Sequence, residues 1–116
     1  MKNSKLSIGV LAVLLLGGCA AKQVESGAER VELTNEMQEN RQCTFVTELT
    51  GSQGNMVTGD FTSDENLVMG ARNDLRNKAY HEGANLVVIQ DSVHSAADDS
   101  WGTTKITLVG KAYKCM

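Results

Sequence analysis

The 116-residue sequence has no proline, two histidines and no cluster of basic residues. Each scarcity closes off a class of function. With a formal charge of −3, the chain lacks the Lys and Arg needed to displace counterions from nucleic acid or to be held on an anionic lipid surface. A nucleophilic triad needs a histidine oriented by an acid beside the serine or cysteine. His81 falls in the last turn of a predicted helix, where an imidazole interacts well with the helix dipole, and His94 lies in a polar stretch; surface histidines account for both. His94, Asp98 and Asp99 fall near one another, but no zinc-type His or Cys spacing exists. The two acids also do not alternate as calcium loops require, so a solvated turn is the reading. Gly51-Ser52-Gln53-Gly54 lacks the Gly-Lys-Ser or Gly-Lys-Thr ending of a phosphate cradle. Asp60, Asp64 and Glu65 crowd the helix start after it, where a further anion is repelled. No enzyme activity, cofactor or metal is expected. An apolar content of 41% argues against disorder.

What is there begins with an address. Lys2 and Lys5 precede an uncharged apolar run from Leu6 to Leu16, with small residues at Gly17 and Gly18. This is the pattern of a secretory signal with its cleavage point, and the run is short of the about 20 residues that span a bilayer. Leu16-Gly17-Gly18-Cys19 resembles the lipobox of bacterial lipoproteins. The resemblance implies cleavage before Cys19, diacylglycerol on its sulfur and an acyl chain on its new amino group. Several acyl chains hold a protein stably where one does so only marginally. Ala20, rather than an aspartate, follows the cysteine, which favours the outer membrane, with the domain facing the periplasm. Losing residues 1–18 leaves 98 residues, enough for one domain, and losing Lys2 and Lys5 takes the formal charge from −3 to −5.

Residues 19–29 then read as the lipidated cysteine and a flexible tether, Ala20–Ala28 being short and rich in small and polar residues such as Gln23, Glu25, Ser26 and Gly27. The domain occupies 30–116. Val31 and Leu33 alternate with Glu32 and Thr34 as a short first strand, and Asn35–Gln42 reads as a loop. Cys43–Leu49 is rich in β-branched and aromatic residues and is stopped by Gly51; Cys43, Phe45, Thr47 and Leu49 are expected on one face, Val46 on the other. Gly51–Thr62 reads as a loop. Thr62 and Glu65 fit a capping box, Val68, Ala71, Leu75 and Ala79 make one apolar helix face, and Asp74 precedes Lys78 by four residues in the favourable order. Gly83 suits the left-handed position past the helix end. Leu86–Ile89 is an apolar run of the kind covered on both sides, Ser92–Gly102 a polar turn region, and Thr103–Cys115 a last strand with Ile106 and Leu108 on one face, Val109 and Tyr113 on the other. The fold class is α+β: an open three- to four-stranded mixed sheet with one helix packed on it, in the order β-β-α-β-β, with a right-handed parallel crossover through the helix and a terminal antiparallel hairpin.

Of the three cysteines, Cys19 is assigned to the lipid, leaving Cys43 and Cys115. In an oxidising compartment they read as a disulfide. Closing so long a loop stabilises by about 4 kcal/mol in the chain-entropy model. Two reactive thiols are the alternative, with no C-x-x-C spacing to support it. Arg72, Asn73, Arg76 and Asn77 lie on adjacent stripes of the helix, away from its apolar face. They read either as a solvated surface or as a docking face for an envelope protein or anionic polymer, for which arginine offers forked donors. Trp101 is a second partner candidate.

Met69–Asn77, Gly83, Asn85, Gly110 and Tyr113-Lys114-Cys115 together resemble a group of small bacterial envelope lipoproteins, domain-of-unknown-function family 4156. The match covers most of the mature chain, including Cys43. The helix leading through Gly83-Ala84-Asn85 into an apolar strand is also distantly similar to the domain of the Rcs envelope-stress sensor lipoprotein. That sensor has two disulfides and a proline-rich linker, where this chain has one candidate pair and no proline. The expectation is a lipid-anchored, non-enzymatic binding or structural module. The alternatives are a regulatory lipoprotein like the sensor and, more remotely, a small hydrolase or metal-dependent enzyme.

Overall fold

A computed structural model describes residues 21–54, 64–96 and 104–116. Four strands form one mixed sheet in the order β1-β3-β4-β2, with β1 Glu32–Thr34, β2 Cys43–Gly54, β3 Leu86–Ser95 and β4 Lys105–Cys115. The helix α1, Asp64–His81, joins β2 to β3 and packs on one face. β1 runs parallel to β3, and β4 is antiparallel to both of its neighbours, β3 and β2. The last strand is therefore inserted between β2 and β3, the two strands that the helix connects. This is the expected α+β architecture with all four strands present.

Leu67, Ala71, Leu75 and Ala79, four residues apart, are fully buried against Val31, Val87, Ile106, Leu108 and Ala112. The helix stripe thus begins at Leu67 and not at Val68, which stays 37% exposed. Its C-terminus closes as expected. Gly83 has φ +78°, its N–H donates to the Tyr80 carbonyl (3.1 Å), and the Ala84 N–H donates to the Ala79 carbonyl (2.9 Å). That pair of bonds is a Schellman cap, which satisfies carbonyls the helix leaves open. Thr62, the proposed N-cap, lies outside the described residues, as does Trp101.

Three strand readings change. β2 continues through Gly51–Gly54 and β3 through Ser95, both read as loop from their glycines and polar residues. Gly51 is in the strand because the helix crosses it: a Cβ there would lie 2.5 Å from the Ala71 carbonyl oxygen and 2.6 Å from the Leu75 nitrogen. The third change is a bulge. The β2–β4 register shifts between Phe45 and Thr47, and a bulge inserts one extra residue and reverses the alternation beyond it. Cys43 therefore faces away from the helix, and so does Phe45, whose ring meets Tyr113 edge-on at 5.7 Å. Val46 and Leu49 pack against the helix-side core. Cys43, Phe45, Thr47 and Leu49 do not share a face.

The sheet's other face carries a smaller cluster of Leu86, Val88 and Cys115, with Met37, Cys43 and Tyr113 around it. Cys43 and Cys115 are opposite each other in the ladder and form a disulfide. Asn85 braces the same end: its side-chain amide donates to the Cys115 carbonyl (2.9 Å) and accepts from the Cys115 N–H (2.8 Å).

Candidate functional site

The polar stripe Arg72-Asn73-Arg76-Asn77 is where sequence reasoning placed an external partner, and most of it is already taken. Residues 22–25 lie along it and run toward the helix C-terminus. Asn73 Nδ2 donates to the Lys22 carbonyl (3.0 Å), and Asn77 Nδ2 to that of Gln23 (2.9 Å). The Asn77 carbonyl oxygen accepts the Glu25 N–H at 2.8 Å. Asn77 is 8% exposed and uses both ends of its amide on the main chain, as a neighbouring strand would. Arg76 Nε donates to the Val31 carbonyl (3.3 Å), and its Nη1 to Asn73 Oδ1 (3.2 Å). Only Arg72 makes no hydrogen bond or ion pair with the described residues. His81, at the end of the stripe, meets the Glu25 carboxylate at 2.5 Å. The 3-10 turn Ala28–Arg30 then reverses the chain into β1, with Ala28 fully buried.

Residues 22–29 are thus part of the domain rather than a tether. Their composition is that of a linker because the helix supplies the hydrogen-bond partners, so the segment needs few apolar side chains of its own.

Asp74 is the hub of this seam, and sequence pattern gave it only a surface pairing with Lys78. It is 7% exposed. It accepts the Ser52 N–H of β2 at 2.9 Å, and meets Lys22 Nζ at 3.1 Å and Lys78 Nζ at 3.2 Å. One carboxylate therefore ties helix, sheet and N-terminal segment together. Burial works to raise its pKa, but the Ser52 N–H and the two ammonium groups outweigh burial and hold it below the ordinary 3.8. A folded pKa below the unfolded one means stability that is complete above the unfolded value and is lost as pH falls through the folded one. Asp74→Asn is expected to cost about 2 kcal/mol at pH 7, as loss of charge-assisted hydrogen bonds does. It also flattens the fall in stability below pH 3.8, the ordinary value. Urea unfolding at pH 7 and pH 3 measures both effects.

Beside the seam, at the helix C-terminal end, is a hollow of about 320 Å³. Arg30 and Lys114 bring cations to it, Tyr80 forms one wall, and among the described residues no carboxylate lines it. The Tyr80 ring lies over Gly27, whose φ is +95° and where a Cβ would come within 2.7 Å of the ring. The arrangement suits an acidic or hydroxyl-bearing group, for which Arg gives forked donors and Lys a point charge. Arg30 and Lys114 were not singled out from sequence: they are 84 residues apart and converge only through the parallel β1–β3 pairing and the insertion of β4. His94 lies on the exposed end of β3, 3.1 Å from Ser92 Oγ. Asp98 and Asp99 lie outside the described residues, as does Cys19. Among the described residues no three His, Cys, Asp or Glu side chains come together to hold a metal.

Residues 22–115 match the family model described as Domain of unknown function (DUF4156). The chain belongs to that family. The matched region opens at Lys22, the first residue clamped to the helix, and closes at Cys115 of the disulfide. The chain is similar to the uncharacterized protein YjeI of Escherichia coli K12 and to its Shigella flexneri counterpart. Each is 30% identical over 105 residues, covering 90% of this chain and 89% of the relative. Among solved structures, a DUF74-family protein of unknown function from Pediococcus pentosaceus aligns over 74% of this chain and 96% of its own, at 14% identity and a TM-score of 0.48.

Proposed function

We propose that this DUF4156 protein is a lipid-anchored lipoprotein of the bacterial envelope, a non-enzymatic binding or structural module held at the membrane by Cys19. The observation that supports it most is the seam. Lys22 is fixed by four contacts, its N–H to Gln53 Oε1 (2.8 Å), its ammonium to Asp74 and to the Ser52 carbonyl, and its carbonyl to Asn73. Only two residues, Ala20 and Ala21, separate it from the lipobox cysteine. A seam of this kind serves a protein whose domain stays close to the surface that anchors it. The Cys43–Cys115 disulfide suits an oxidising compartment, and Ala20 after the cysteine favours the outer membrane. The partner we propose is an envelope protein or anionic envelope polymer. Its acidic groups are received at the Arg30–Tyr80–Lys114 hollow, since the helix stripe first considered for that task is largely spent within the chain.

The test is the intact mass of protein purified from membranes, before and after reduction, with alkylation of free thiols. The expected species begins at acylated Cys19 and gains two alkylation sites only on reduction. An unprocessed Met1, or alkylation at Cys43 without reduction, overturns the assignment.

A further inference from the structure

We infer that the domain rests on the bilayer by the first turns of α1, with Val68 and Met69 against lipid; the inference depends on the acylation of Cys19 proposed above. Three observations carry it. The first is reach. An extended chain advances at most about 3.5 Å per residue, so the three steps from Lys22 to Cys19 place the lipid within about 10 Å of the Lys22 backbone. The second is direction. Lys22 lies at Asn73 and Asp74, and Glu25 lies further along at Asn77 and His81. Followed backwards, the segment heads for the helix N-terminus. At about 1.5 Å of rise per residue, Met69 is about 6 Å from Asn73 in that direction, and Glu82 is about 14 Å away in the other.

The third observation is what waits at that end. Val68 is 37% and Met69 49% exposed on the first two turns of the helix. The same end of the sheet, where Ser95 pairs with Lys105 and Lys105 with Gly54, lies beside Leu67, which a Cβ on Gly54 would touch. The acyl chains at Cys19 supply the attachment, and the exposed Val68 and Met69 enter the apolar layer beside it. The Arg30–Tyr80–Lys114 hollow is then carried at the opposite end of the helix, facing away from the bilayer.

The experiment uses the full chain purified from membranes and placed in vesicles of phosphatidylethanolamine and phosphatidylglycerol with a diazirine on one acyl chain. After photolysis, mass spectrometry locates the adducts. Adducts on the peptide holding Val68 and Met69 are expected several-fold above those on the peptide holding Tyr80 to Ala84. A Val68→Asp, Met69→Asp double variant is expected to lose that labelling yet still pellet with vesicles. Six Gly-Ser residues inserted between Ala21 and Lys22 should abolish the preference without loss of pelleting. Equal labelling along the helix, or adducts concentrated on Phe45 or Tyr80, would overturn the orientation. If the protein is acylated and pellets but is labelled elsewhere, the orientation alone fails. If it carries no acyl group and stays in solution, the anchor fails and takes the orientation with it.

Discussion

Serine at both Cys43 and Cys115 is expected to lower the melting temperature by about 20 °C. The loss is about 4 kcal/mol for a loop that encloses nearly the whole domain, and each kcal/mol moves the midpoint of a domain this size by about 4–8 °C. The bridge also has a local role. It joins the first residue of β2 to the last of β4, in the small cluster behind the sheet where Leu86 and Val88 are buried. Asn85 holds the Cys115 backbone by two hydrogen bonds, and the Met116 N–H donates to the Gln42 carbonyl. These contacts let the serine variant fold while leaving it much weaker. Circular dichroism melts of the two proteins, and of the native protein with and without reductant, give the comparison. A change of only a few degrees would show that the Asn85 brace, not the bridge, secures this end.

Gly51→Ala is expected to cost about 3 kcal/mol, the upper part of the range for overpacking a close-packed core. The added methyl meets the helix main chain, the Ala71 carbonyl oxygen and the Leu75 nitrogen, within 2.6 Å. Backbone cannot swing aside as a side-chain tip does. Relief therefore requires lifting α1 from β2, which also pulls Asp74 from the Ser52 N–H. Gly83→Ala is the instructive contrast. Nothing lies within 4 Å of a Cβ there, so only the left-handed backbone, φ +78°, is penalised, by about 1 kcal/mol. Urea midpoints rank the two variants. If Gly83→Ala proves the more damaging, the helix is not seated on β2 as closely as described.

The helix and its cap were legible because their signals are local: apolar residues at helical spacing, then Gly83 in the one position that asks for a left-handed backbone. The pairing of Cys43 with Cys115 was legible because reading Cys19 as a lipobox cysteine leaves those two. Less visible were features that depend on what lies across the fold. Gly51 and Gly54 look like punctuation until the helix is laid over them. Val46 looks like a regular strand residue until its register with β4 is known, and the face of Phe45 follows from that register. Asn73 and Asn77 read as a solvated surface or a docking face, and Asp74 as a partner of Lys78, because backbone groups of residues 22–25 and of Ser52 carry no signature in side-chain pattern. The same blindness made residues 22–29 look like a tether. The candidate site accordingly moved from the helix stripe, which is consumed within the molecule, to a hollow whose two cations come from opposite ends of the chain.

The place of β4 has a consequence for how the protein comes into being. β4 follows β2 and β3 in the sequence and bonds both of them, so most of the sheet has no template until β4 has been made. Among the described strands, the three-residue β1–β3 ladder is the only one that can pair before then. Domains otherwise tend to fold from the N-terminal side as they are made. In this one the sheet closes only when β4 slides between the two strands that the helix joins.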